Sequence, residues 1–242
     1  PGETLYKILA LLFSEREAEL VSVLPLRPFS AKKAASIWKM NIDSARKVLD
    51  ELAGRAMLLD MEHNGETVYV LPPPMAGFFE FSMMRLNGKP DRKILSELYY
   101  QYITVEDNFM RALFQGGGTQ MGRMFVHEQA IPEEHVIHVL DYERASEVIR
   151  SAGTIGVSAC YCRHKMLHLG RACEAPLDIC MTFNACASSL TRHGHARPVE
   201  KEECLDLLHR AYDYHLAQFG ENVREGASFI CNCCGCCCEA MI

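Results

Sequence analysis

The sequence predicts an α+β protein, mainly α, built as an N-terminal winged helix-turn-helix, a helical middle and a cysteine-rich, metal-binding C-terminal domain. Three observations carry this reading. Apolar residues recur at helical spacing at Leu5, Ile8, Leu9 and Leu12 and again across residues 92–114. An Asn-Gly pair, Asn64-Gly65, separates two strand-like runs, 57–62 and 67–71. Ten of the twelve cysteines fall in two short runs, both in the last third of the chain.

In order along the chain, a second apolar-periodic stretch follows the first at 15–24, and Pro25 and Pro28 then break it. Ser30 is placed to cap a helix over 31–39. Asn41 or Asp43 opens the next helix, with Ala45, Val48, Leu49 and Leu52 on one face. The hairpin around Asn64-Gly65 completes the order of a winged helix. Residues 1–90 carry eleven Lys/Arg against eleven Asp/Glu, and the hairpin tip has no Lys or Arg. A DNA-reading face should be visibly basic, so protein contact is favoured over DNA for this region.

Leu71-Pro72-Pro73-Pro74 reads as a stiff linker. The aromatic and Met-rich stretch 77–85 (GFFEFSMMR) reads as buried core. Helical periodicity over 92–114 ends at Gly116-Gly117-Gly118, which lacks the lysine and preceding strand of a phosphate loop and reads as a turn. Residues 136–140 are expected as a short strand, Asp141 as the cap of a helix through Ile149, and 155–159 as extended backbone leading into the first cysteines. The expected domains are 1–74, 75–150 and 151–242.

With 242 residues, 49% of them hydrophobic, the chain can bury a core without covalent staples. A net charge of -6 excludes a general affinity for nucleic acid or anionic membrane. The apolar stretch 8–13 is too short to span a bilayer, no secretory signal is visible, and no membrane insertion is expected. Thiols confined to one region point to a reducing cytoplasm, where they stay free for metal. The start at Pro1 and the end just beyond the thiol run are expected of an excerpt from a longer chain.

The first thiol run is C-x-C-x₁₀-C-x₆-C, through Cys160, Cys162, Cys173 and Cys180; the second is Cys231, Cys233, Cys234, Cys236, Cys237 and Cys238. Neighbouring Cα atoms lie about 3.8 Å apart, whereas a disulfide needs roughly 4.4–6.8 Å, so such crowding does not suit disulfides. Thiolates at this density suit a thiophilic metal, and iron–sulfur clusters take them in Cys₄ sets. Adjacent residues in extended backbone face opposite ways, so Cys233 and Cys234 can serve two different centres, and Cys160 and Cys162 can also be divided. Arg163, His164, Lys165, His168 and Arg171 place positive charge beside the first run, which would raise a cluster's reduction potential. Zinc is the rival metal. Its usual C-x₂-C pairs occur only incidentally here, as Cys231–Cys234 and Cys233–Cys236, and the bacterial ferredoxin spacing C-x₂-C-x₂-C-x₃-C-P is also absent, so density and softness decide for iron. Cys204 sits among Leu205, Leu208 and Ala211 and reads as packing, and the same role is given to Cys186.

Residues 160–183 (CYCRHKMLHLGRACEAPLDICMTF), 229–241 (FICNCCGCCCEAM), 71–85 (LPPPMAGFFEFSMMR) and 139–148 (VLDYERASEV) resemble a family of iron–sulfur proteins of anaerobes, described as 4Fe-4S ferredoxin-type or 4Fe-4S-binding. The likeness covers most of the chain. Cys160, Cys162, Cys173, Cys180, Cys231, Cys233, Cys234, Cys237 and Cys238 fall on the family's pattern. Members join a winged-helix-like region and a cysteine-rich middle to a dicluster ferredoxin module, which would begin beyond Ile242. The resemblance implies one or two [4Fe-4S] clusters and electron transfer within a multi-component redox enzyme.

The sequence-level expectation is therefore an electron-transfer protein whose ten clustered cysteines hold iron, with a ferredoxin or flavoprotein as redox partner and a homo- or hetero-oligomeric state. No nucleophile–base pair, phosphate loop or carboxylate dyad marks a catalytic site. The alternatives are a redox- or iron-responsive winged-helix transcription regulator and a zinc-stabilised scaffold.

Overall fold

A computed structural model describes residues 2–86, 91–115 and 118–241. The fold is α+β, with eleven α-helices and two antiparallel sheets among the described residues. The chain opens with α1 (Glu3–Leu12) and α2 (Glu15–Ser22), the latter started by a capping box in which Ser14 and Glu17 satisfy each other's backbone N–H. Next come β1 (Phe29–Ser30), α3 (Ala31–Trp38) and α4 (Ile42–Gly54). Ser30 Oγ accepts from Lys33 N at 3.3 Å and Asn41 Oδ1 from Ser44 N at 2.8 Å, so both helices start at side-chain caps.

Strands β2 (Leu59–His63) and β3 (Glu66–Val70) pair in register His63↔Glu66 around Asn64-Gly65, whose φ angles of 51° and 78° are those a two-residue hairpin of inverted twist requires. β3 also pairs with β1, giving a sheet of order β1-β3-β2.

Helix α5 (Phe79–Met84) buries Phe79, Phe81, Met83 and Met84, as a core segment should. The periodic stretch 92–114 is two helices, α6 (Arg92–Tyr99) and α7 (Asn108–Gln115), separated by a wide turn. The break follows from Asp107 at φ 43° and from Glu106, whose carboxylate accepts from Thr4 Oγ1 of α1 at 2.5 Å and Gln101 Nε2 at 3.4 Å. Of the triple glycine, Gly116 and Gly117 lie outside the described residues.

Two local expectations are corrected. Residues 136–140 form no strand: a 3₁₀ turn covers Glu133–His138. Pro132 presets its first turn, accepting from His135 N at 2.9 Å, and Glu133 and Glu134 favour a helical N-terminus. Asp141 likewise begins a separate 3₁₀ turn, Asp141–Glu143, and α8 (Ala145–Ser151) starts after it from Arg144 without a side-chain cap.

The second sheet runs β4-β8-β9-β6-β5-β7, from β4 (Gly122–Met124), β5 (Ile155–Ala159), β6 (Asp178–Phe183), β7 (Arg197–Pro198), β8 (Ala217–Glu221) and β9 (Phe229–Cys233). Helices α9 (Tyr161–His168), α10 (Asn184–Arg192) and α11 (Lys201–Asp213) complete the chain. One core, from Ile8 and Leu12 through Leu49, Tyr69, Phe79, Leu95 and Tyr99, reaches Tyr161 at the start of α9. Another joins Ile149, Val157, Met181, Phe183, Leu208 and Ile230 around the larger sheet. Packing thus runs across the expected boundaries at 74 and 150. Asp60 of β2 reinforces this by accepting from Ser189 Oγ at 2.6 Å and Arg192 at 2.5 Å, both on α10. No helix among the described residues is long and apolar enough to cross a membrane.

Candidate metal centre

The thiols converge where three elements of the larger fold end together. β5 runs directly into Cys160, the N-cap residue of α9, and Cys160 N donates to the Leu177 carbonyl at 2.6 Å, closing the 161–177 excursion. Cys162 lies in the first turn of α9. Cys180 is on β6 beside β9, where Met181 faces Ile230; continuing that antiparallel register sets Cys180 opposite Cys231. Cys231 and Cys233, two residues apart, share one face of β9. Beyond β9 the chain turns tightly, Cys238 N donating to Cys234 O at 3.3 Å, and delivers the other four thiols of the second run.

All ten predicted cysteines come together, but in two sets. Cys173, Cys234, Cys236 and Cys237 form the outer set, with all four sulfurs within 4.8 Å of one another. The Cys173–Cys234 and Cys236–Cys237 sulfur separations are both 3.7 Å. These four lie close enough to hold a metal ion. Cys237 is buried and Cys236 exposed, so this set reaches from the interior to the surface.

The remaining six form an inner ring in which each thiol's ionisation is set chiefly by its two neighbours, in the order Cys160, Cys162, Cys238, Cys233, Cys231, Cys180 and back to Cys160. Cys160, Cys180, Cys233 and Cys238 are buried, Cys162 and Cys231 half-buried. Hydrogen bonds from Cys162 and Cys180 hold the Cys160 thiol well below its ordinary value against the cost of burial. Those from Cys162 and Cys233 bring Cys238 down to about 4. The other four ring thiols, Cys162, Cys180, Cys231 and Cys233, are pushed up by ring neighbours and by burial.

Cys233 and Cys234 are divided between the sets, as alternation along a strand requires, whereas Cys160 and Cys162 stay together because the chain turns into α9 between them. Cys186 and Cys204 belong to neither set. Burial pushes both thiols up to about 12, and Cys204 packs in the larger sheet's core.

Of the five basic residues near the first run, Arg163 is the one whose charge the sulfurs chiefly stabilise. Arg163 is 1% exposed, donates to the Pro176 and Asn232 carbonyls at 2.5 Å each, and faces Cys234 of the outer set with Cys160 and Cys180 of the ring. Burial opposes its charge, but the neighbouring sulfurs outweigh that and hold the guanidinium protonated. His164 turns away, its Nδ1 2.6 Å from the Met83 carbonyl and its Nε2 3.2 Å from His168 Nε2, and burial depresses its basicity. Arg171 lies over the Tyr100 ring, 5.3 Å from its centroid.

Lys165 is spent on a carboxylate that sequence reading missed. Its ammonium pairs with Glu239 in the interior, each side chain 1% exposed, and Tyr161 Oη donates to the same Glu239 Oε1 at 3.2 Å. The available signal was a lone acid directly after Cys238, between the thiol run and Ala240-Met241. Asn232, between two ring cysteines, was also missed. Its Nδ2 donates to Ile179 O at 2.8 Å and its Oδ1 accepts from Gln218 Nε2 at 3.1 Å, locking β9 to both neighbouring strands.

Compared with known proteins, the chain matches no family model, no curated protein and no solved structure.

Proposed function

We propose that this chain is an iron–sulfur electron-transfer protein, its inner ring holding a [4Fe-4S] cluster and its reducing equivalents exchanged with a ferredoxin or flavoprotein partner. The observation that carries the reading is the ring itself: six converging thiols, four of them buried, accompanied by the buried cation Arg163. The donor set fits the group. A four-iron cluster needs four thiolates, a soft environment and positive charge near its sulfurs. Cys160, Cys162, Cys180, Cys231, Cys233 and Cys238 supply more than that number, and Arg163 supplies the charge.

When bound, such a cluster takes up and gives back one electron. The protein's own part is to exclude water around the sulfurs, hold Cys160 and Cys238 as thiolates, and balance the anionic centre with Arg163. The helix, helix, strand, helix, helix, hairpin order of the first 70 residues supports a winged-helix reading. With eleven cations matched by eleven anions in residues 1–90, that region is assigned to protein contact within a redox assembly. The resemblance of the two thiol segments to 4Fe-4S-binding proteins of anaerobes supports the same cofactor.

Anaerobic purification with iron and acid-labile sulfide analysis tests this, together with paramagnetic resonance of the reduced protein. About four irons and four sulfides per chain are expected. Their loss in Cys180→Ser and Cys233→Ser, and retention in Cys204→Ala, is the accompanying result. A preparation free of labile sulfide overturns it.

A further inference from the structure

We infer that Cys173, Cys234, Cys236 and Cys237 form a second, separate centre that holds a single tetrahedral divalent ion, zinc, and pins the loop carrying Cys173 to the turn after β9. The argument begins with size. A Zn–S bond of about 2.3 Å places the four sulfurs of a tetrahedron about 3.8 Å apart along each edge. The Cys173–Cys234 and Cys236–Cys237 separations are 3.7 Å, and none of the six exceeds 4.8 Å. A four-iron cluster puts one iron behind each thiolate and sulfide between the irons, so it spreads its sulfurs well beyond a single-ion edge. The outer set has the dimensions of one ion.

Its composition agrees. Four cysteines with no open position make the closed Cys₄ set of a structural site. Cys234, Cys236 and Cys237 come from one turn and Cys173 from a loop 61 residues earlier than Cys234, so an ion there cross-links distant segments. Two hydrogen bonds, Cys173 to Cys234 and between Cys236 and Cys237, run within this set. Zinc is preferred to ferrous iron because it stands higher in the affinity order for divalent metals, and the redox-inert ion suits a site whose fourth thiol, Cys236, is exposed. The sequence hid this site, since C-x-C-C is not a zinc knuckle.

The test is zinc, iron and labile sulfide analysis of the anaerobically purified full chain and four variants. About one zinc per chain is expected, lost in Cys173→Ser and Cys236→Ser with labile sulfide unchanged, and kept in Cys180→Ser. Cys173→His, which retains a zinc ligand, should keep the metal; if the serine variants fail to fold, this variant and cobalt substitution of the wild type decide. Cobalt in place of zinc should show the intense visible bands of tetrahedral thiolate coordination. Absence of both zinc and those bands overturns the inference, as does loss of labile sulfide in Cys173→Ser or Cys236→Ser. A chain without sulfide that still binds one zinc through Cys173 would sink the cluster and leave this site standing.

Discussion

Replacing Lys165 with Met should be among the most damaging single changes outside the thiols themselves. Lys165 and Glu239 are each 1% exposed, so the substitution leaves a carboxylate in the interior. Only Tyr161 Oη, at 3.2 Å, would remain on Glu239 Oε1, and Oε2 has no hydrogen-bond partner among the described residues. Removing one member of a buried ion pair costs about 3–5 kcal/mol, whereas replacing both members by apolar or neutral groups is often close to neutral. Burial already holds the Glu239 carboxyl above its usual range with the ammonium in place. Without Lys165 it would rise further, and the carboxyl would escape the penalty by taking up a proton. The folded state of the variant then binds more protons than the unfolded one, so its stability is present at low pH and lost as pH rises. The slope approaches about 1.4 kcal/mol per pH unit above the unfolded value. Denaturant unfolding at equal metal loading, followed by circular dichroism, should show Lys165→Met losing about 3–5 kcal/mol at neutral pH and recovering as pH falls toward 5. Adding Glu239→Gln should restore most of the loss. A Lys165→Met protein within about 1 kcal/mol of wild type at neutral pH, or one whose deficit ignores both pH and Glu239→Gln, refutes this account.

Further expectations concern the scaffold. Asn41→Ala removes the cap at Ser44 N and should cost about 1 kcal/mol, read as a lower denaturation midpoint in the emission of Trp38, the only tryptophan. Gly220→Ala would set a Cβ 2.7 Å from the Phe125 ring and 2.8 Å from the Phe229 carbonyl, so overpacking should cost about 1–3 kcal/mol in thermal unfolding. Burial holds His195 down to about 4, despite its hydrogen bond to the Gly54 carbonyl, so it stays neutral while the unfolded chain takes up a proton below about 6.5. Stability is therefore lost as pH falls through that window, and wild type should lose about 2 kcal/mol more than His195→Gln between pH 7 and pH 5.

How far the sequence disclosed these features depended on how local their causes are. Helices α1 and α2 were legible from apolar periodicity, and α3, α4 and the β2–β3 hairpin because Ser30, Asn41 and Asn64-Gly65 act within three or four residues of themselves. The larger sheet was not. β6 (DICMTF) and β9 (FICNC) pair across some fifty intervening residues, and their cysteines read as ligands before they read as strand. All ten clustered cysteines were visible from density alone. Strand alternation also foretold the parting of Cys233 from Cys234, but the rest of their division was hidden, because it is decided by which face β9 turns to the interior and by where the Cys173 loop folds. Arg163 was visible as a charge, but that it alone of five basic neighbours would meet sulfur depended on Met83, Tyr100 and Glu239 occupying the others.

Among the described residues β9 follows every other strand in chain order, yet it lies in the interior of the six-stranded sheet, between β8 and β6. During synthesis the earlier strands must wait as two fragments with unsatisfied edges until Phe229–Cys233 emerges and slots between them. That insertion also brings Cys231 and Cys233 to Cys180, so maturation of the inner ring is gated by the closing step of folding. A ribosome-bound intermediate lacking that strand would display scattered nucleophilic sulfurs, and on the proposed reading a cluster would be inserted only after it.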